Sequence, residues 1–344
     1  MKKSIIAAAL LLTAGVTNAA TISMSFDADQ FVGEEGESAQ GAFLAAAAFW
    51  ENLLLDDVVV DLDINFSQLD EGVLGGASST REVYTYDSVV DSILADATST
   101  ADQMVVNDQS FACDFDQYGL CDNVFKEDGG VDSDNSNDNA YMSLTTANAK
   151  ALGLEVDPDT VDGNITFNSD FNFDYDPSDG ITSGMFDFVG IAIHEIGHTL
   201  GFVSGVDIVD QNPDLGLDNF AYISTLDLFR FSEADGLIDM TPGVESYFSL
   251  DGGVTELIGF STGVNSGDGR QASHFEDNVN AGIMDPTFSP GERGVLSEYD
   301  VLAFDVIGWD IAQASTATSV DAPTSGILML SGLGMLFLRN RRRK

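Results

Sequence analysis

The residues that most constrain this chain are His194-Glu195-Ile196-Gly197-His198, followed by Thr199-Leu200-Gly201. On an α-helix the i, i+4 spacing stacks two imidazoles on one face, where both can reach a single metal ion. The preceding run Phe186-Asp187-Phe188-Val189-Gly190-Ile191-Ala192-Ile193 suits a helix buried on most sides, and Gly201 offers the left-handed residue that ends one. Zinc takes neutral imidazoles in a tetrahedral site, and a catalytic site keeps one position for water, so a third protein ligand is expected. Glu195 follows the first ligand directly. There it is expected to act as general base toward a water that the metal acidifies, then as general acid toward the leaving group.

The chain has only three histidines in 344 residues. In the compact pattern H-E-x-x-H-x-x-G-x-x-H the last position falls on Ser204, and serine is a poor zinc ligand. The remaining histidine is His274, in Gln271-Ala272-Ser273-His274-Phe275-Glu276-Asp277, and the turn Gly282-Ile283-Met284-Asp285-Pro286 comes after it. Asp207 and Glu233 stay open as rival third ligands: the first would make the site resemble aspartate-type zincins, the second the thermolysin-like class.

This arrangement resembles the leishmanolysin-like branch of the metzincins, in which a long insertion separates the glycine from the third histidine. The resemblance assigns His274 as third ligand and Met284 as the Met-turn residue. The segments Phe188 to His198, Ser224-Thr225-Leu226-Asp227-Leu228-Phe229-Arg230 and Gly267-Asp268-Gly269-Arg270-Gln271-Ala272-Ser273-His274 also resemble a family of secreted bacterial metalloproteases with a C-terminal sorting tag. The implied fold is α+β, a two-lobed zincin/metzincin-like protease domain. Its upper lobe would combine a mixed sheet with helices up to about residue 201, above an irregular lower lobe over 202–314. The implied cofactor is Zn²⁺ and the implied substrates are proteins or peptides. The competing expectation is a non-catalytic cell-surface or matrix binding protein on a zincin scaffold, against which an intact Glu195 argues.

The two ends of the chain speak to location. Residues 1–19 carry Lys2 and Lys3, an apolar run and small residues up to Ala19, which together read as a secretory signal. Residues 315–325 have a linker composition, 326–338 are apolar, and 339–344 are strongly basic. Val320-Asp321-Ala322-Pro323 with that tail resembles a PEP-CTERM-type sorting signal, which implies a membrane sorting enzyme as partner and a secreted or surface-attached product. The central Glu of that motif is absent, so simple membrane anchoring stays open. The domain itself is expected over 20–314.

Charge narrows the partners further. There are 57 acidic and 13 basic residues, a formal net charge of −44. Seven of the 13 basic residues sit in the two end segments, so the domain repels nucleic acid and anionic membranes and suits a salty medium. Arg230 and Arg270 are two of the six that remain, and each is expected to pair with a carboxylate. A 44% apolar content with 23 phenylalanines is ample for a core.

Periodicity predicts helices over 38–55, 86–98, 143–152 and 298–307, and strands over 58–66 and 164–168. Residues 165–175 are the candidate substrate-side strand, by resemblance to the strand that flanks a zincin cleft. Cys113 and Cys121 most simply form a local disulfide in an exported protein. Asp132-Ser133-Asp134-Asn135-Ser136-Asn137-Asp138 and Asp174-Tyr175-Asp176-Pro177-Ser178-Asp179-Gly180 have the alternating oxygens of Ca²⁺ loops, but neither matches the full EF-hand spacing. Calcium binding and plain solvated loops both stand.

Overall fold

Alternating apolar residues in Thr21–Phe26 (β1) and Val59–Ser67 (β2) flank the long helix Gly33–Leu53 (α1), and the two strands pair in parallel with Ile22 opposite Val60. The computed structural model describes residues 19–108, 111, 136–214, 219–232, 237–277 and 281–312. The chain continues through Gly75–Ser79 (β3), Arg81–Thr85 (β4), Tyr86–Asp96 (α2) and Thr100–Asp108 (α3). Asn137–Ala140 (α4), Tyr141–Thr145 (β5) and Thr146–Ala151 (α5) precede Gly163–Asn168 (β6). Phe173–Asp174 (β7) pairs with Phe186–Asp187 (β8), which leads into Phe188–Thr199 (α6). Beyond α6 come Val206–Gln211 (α7), Arg230–Ser232 (β9), Ser246–Phe248 (β10), Ile258–Phe260 (β11) and Glu298–Val306 (α8).

The fold is mixed α+β. The main sheet has the order β1-β2-β6-β3, with β1, β2 and β6 parallel and β3 antiparallel to β6 at the edge. Its inward residues, Val60, Leu62, Ile64, Ile165 and Phe167, are buried. On α1 the small residues Ala39, Ala42, Ala46 and Ala47 recur at helical spacing, which lets the helix approach closely while Phe43 and Trp50 fill the layer. Phe43, Phe167 and Phe188 meet with ring centroids 4.4–5.0 Å apart, joining α1, β6 and α6. Each such aromatic pair contributes about 0.5–1.5 kcal/mol beyond its buried area.

The helix α6 is held on both sides. The Trp50 indole N–H donates to Ile193 O at 3.0 Å, and the Trp309 indole N–H donates to Leu200 O at 2.8 Å. Phe304 of α8 packs against Trp50 with centroids 4.6 Å apart. A rigid mount of this kind fixes the residues that α6 presents.

Several expectations need correction. Residues 143–152 are not one helix. Tyr141–Thr145 pairs with β4, burying Met142 and Leu144, and the Thr145 hydroxyl accepts Asn148 N–H to start a separate short helix. The region after Gly201 is more ordered than irregular loops, because β9, β10 and β11 form a three-stranded antiparallel sheet. The candidate substrate-side strand is also displaced: β6 is paired on both sides, by β2 and β3, so its backbone has no free edge. The edge belongs to β3, hidden in the run Gly72-Val73-Leu74-Gly75-Gly76-Ala77-Ser78-Ser79, whose small residues give no alternation to read.

Among the described residues no helix is long and apolar enough to cross a membrane. The signal segment 1–18, Cys113, Cys121, residues 132–135, Glu233 and the tail from 313 lie outside the described residues.

Candidate metal centre and cleft

Asp187 caps the start of α6. Its carboxylate accepts Gly190 N–H at 2.9 Å and, from across the site, Gly294 N–H at 3.0 Å. At the other end Gly201 takes φ +120°, which turns the chain back so that Phe202 O accepts the His198 Nδ1 hydrogen bond at 2.7 Å.

All three histidines are fixed in the same way. Nδ1 of His194 lies 2.7 Å from Ile283 O, and Nδ1 of His274 lies 3.1 Å from Gln271 O. A carbonyl can only accept, so each Nδ1 carries the proton and each Nε2 presents a lone pair. The three Nε2 atoms form a near-equilateral triangle with sides of 3.0, 3.1 and 3.1 Å. With the protons on Nδ1 those nitrogens cannot hydrogen-bond one another, so their lone pairs face each other, an arrangement that a cation stabilises. His194, His198 and His274 could therefore bind a metal ion, and among the described residues they are the one cluster of ligating groups close enough to do so. Burial pushes His194 down to about 3 and His198 to about 4, and lowers His274 well below the ordinary range, which keeps all three neutral.

Asp207, a rival third ligand by sequence, has a different task. Its carboxylate accepts Ala272 N–H at 2.7 Å and Ser273 N–H at 2.9 Å, together with the Ser273 hydroxyl. It thereby fixes the backbone that carries His274. Ser204 also supports this loop, donating its N–H to Ser273 Oγ at 2.9 Å and its hydroxyl to Asp227 at 2.6 Å.

Met284 is fully buried beneath α6. A Cβ on Gly197 would stand 2.8 Å from its sulfur, so the glycine between the two helix histidines is what admits the methionine. The turn is anchored from α8: Asp300 accepts Ile283 N–H at 2.9 Å and Met284 N–H at 3.1 Å while also closing the capping box with Ser297. Ile283 in turn receives the His194 hydrogen bond, so α8, the methionine turn and the histidine cluster form one connected chain. Ser297 three residues before an acid is a capping signal, but the hold of Asp300 on the methionine turn depends on tertiary partners.

Glu195 is buried, and its carboxylate accepts the N–H of Ala77 on β3. Burial pushes it up to about 8, with the Ala77 contact opposing. Glu195 and the three histidines line a cleft of about 620 Å³. Gly72 to Ala77, Ser79 and Arg81 from the β3–β4 segment also line it, as do Ile208, Arg270 and the segment Pro286 to Phe288. The expectation for Arg270 holds: its Nε and Nη2 reach Asp277 at 3.2 and 3.0 Å. Arg230 is buried over the Phe260 ring and donates to the backbone, to Ser261 O at 2.8 Å and Ala272 O at 3.4 Å, with Asp227 and Asp207 supporting its charge from nearby.

The acidic loop at 174–180 turns its oxygens on itself. Asp174 accepts Asp176 N–H at 3.1 Å and Thr182 N–H at 2.8 Å, and Asp176 accepts Ser178 N–H at 3.1 Å. In the other acidic stretch, Asp138 is buried and accepts the Ser136 hydroxyl at 2.6 Å.

Compared with protein-family models, curated proteins and solved structures, the chain shows no significant match.

Proposed function

We propose that this protein is a zinc-dependent endopeptidase that binds an extended peptide along β3 and is exported from the cell. The observation that carries the reading is the placement of Glu195 beside three Nε2 lone pairs, on the wall of a cleft lined by β3, an edge strand among the described residues. Neutral imidazoles are donors zinc prefers, and three of them leave a position for water. The tetrahedral geometry of zinc sets such nitrogens about 3.3 Å apart, close to the spacing of this triangle. A zinc ion held by His194, His198 and His274 supplies Lewis-acid activation of water and of the scissile carbonyl.

The chain's own residues do the rest. Glu195, raised toward 8 by burial and oriented by Ala77 N–H, is basic enough to take a proton from the attacking water and acidic enough to return it to the leaving amine. The β3 edge offers backbone groups to a substrate strand, and antiparallel pairing is the stronger arrangement. Met284, packed against Gly197, supports the floor on which both helix histidines rest. Asp207 and Asp300 hold the backbones of His274 and of the methionine turn, as outer-shell carboxylates do around metal ligands.

The test is Glu195→Gln in the exported protein. Zinc should stay bound while casein cleavage falls by at least about a hundredfold, the scale of a lost general base. Unchanged cleavage would remove Glu195 from the mechanism, and a zinc-loaded wild type that cleaves nothing would favour a binding protein instead.

A further inference from the structure

The cleft carries a cation that the reaction does not use. Arg81 opens β4 only two residues after Ser79 ends β3, so the segment that lines the cleft with β3 also brings a guanidinium to it, beyond the Ser79 end of that strand. Arg81 and Arg270 are the cations lining it, and Arg270 is already paired with Asp277. Among the described residues the Arg81 guanidinium has no ion pair, and its one hydrogen bond is long, Nη1 to Ser143 O at 3.5 Å. A guanidinium has five N–H donors, so most of this half-buried fork is unused.

Burial lowers the Arg81 pKa from its usual value, and two nearby carboxylates, Asp227 and Asp207, oppose that shift. Neither is free to cap it. Asp207 is committed to the His274 loop, and Asp227 accepts Ser204 Oγ, Gly205 N–H, Ser224 N–H and Ser224 Oγ at 2.6–2.8 Å. The guanidinium, which stays protonated in proteins, is therefore left open on its cleft side, and the group that matches its planar fork is a carboxylate.

Direction follows from β3. The strand starts at Gly75, where a Cβ would lie 3.5 Å from Glu195 Oε1, and ends at Ser79, whose hydroxyl donates to His198 O at 3.4 Å. A peptide antiparallel to β3 runs the other way, so residues ahead of the cleaved bond pass Arg81. Resting on the peptidase reading above, we infer that Arg81 is a specificity residue that selects an aspartate or glutamate side chain on the amino-terminal side of the scissile bond.

The experiment uses the zinc-loaded protein and fluorogenic peptides in which Glu or its isostere Gln is placed in turn at each of several positions ahead of the cleaved bond. At one position kcat/KM should favour Glu by at least about tenfold, the scale of a hydrogen-bonded charge pair. In Arg81→Gln that ratio should fall to about one, with bound zinc as the check that the centre is intact, and Arg81→Lys should keep an intermediate ratio. A ratio near one at every position in the wild type, or a preference that survives unchanged in Arg81→Gln, overturns the inference while leaving the peptidase intact. If Arg81→Gln does not fold, an undiminished ratio in Arg81→Lys overturns it equally. Failure to cut any peptide overturns the peptidase reading and this inference with it.

Discussion

Asp300, in the first turn of α8, accepts the backbone N–H of Met284 at 3.1 Å. The same carboxylate takes Ile283 N–H at 2.9 Å and Ser297 N–H at 2.6 Å, and Ile283 passes the constraint on through its carbonyl to His194. A helix cap, a turn and a histidine of the candidate metal cluster thus share one buried anion. Asp300→Ala would strand three buried N–H donors, and the expected loss is about 3 kcal/mol in urea unfolding. Zinc affinity should also fall about 10–100-fold, as when outer partners of a ligand are removed.

Asp207 gives a cleaner separation of ligand from support. Because its oxygens hold Ala272 and Ser273 rather than facing the imidazoles, Asp207→Asn should weaken zinc by about 10–100-fold without abolishing binding. Chelator competition measures this. Loss of zinc as complete as in His274→Ala would instead make Asp207 a ligand.

Stability should decline with rising pH on the side of the fold remote from the cleft. Burial, with Asp310 and other acids adding to it, raises Asp96 to about 7, and Asp56 rises to about 7 by burial and the charge of Asp310. The unfolded value is near 3.8, so between about pH 4 and 7 the folded protein holds protons that the unfolded chain has released. Stability therefore falls as pH climbs through that window, and the penalty is complete above it. Asp96→Asn should raise the melting temperature at pH 8 and leave it nearly unchanged at pH 4. Equal effects at both values would contradict the assignment.

The histidine cluster is legible in the sequence because its signal is local and rare. Two histidines at helical spacing define a face, and with three histidines in the chain the remaining one, His274, had few rivals, although it lies 76 residues from His198. The long elements α1, β2, β6 and α8 showed through the spacing of residues such as Phe43, Trp50, Leu62 and Ile64, since burial on one face forces a period. What escaped depends on tertiary partners. The edge strand β3 has Gly75, Gly76 and Ala77 where alternation would be read, and residues 143–145 read as the start of a helix because the pairing of β5 with β4 is not written in its own residues. Asp207 was weighed as a ligand and is a support, a distinction that only hydrogen bonds can make. Arg81 went unnoticed, although in a chain of net charge −44 any interior cation is uncommon enough to mark.

The most direct test of the central claim is the zinc content of the exported protein, wild type against His274→Ala, with casein cleavage measured on the same samples. Stoichiometric zinc and cleavage in the wild type, with both lost in the variant, is the predicted result. Full retention of zinc by His274→Ala, or a zinc-loaded wild type without cleavage, would contradict it.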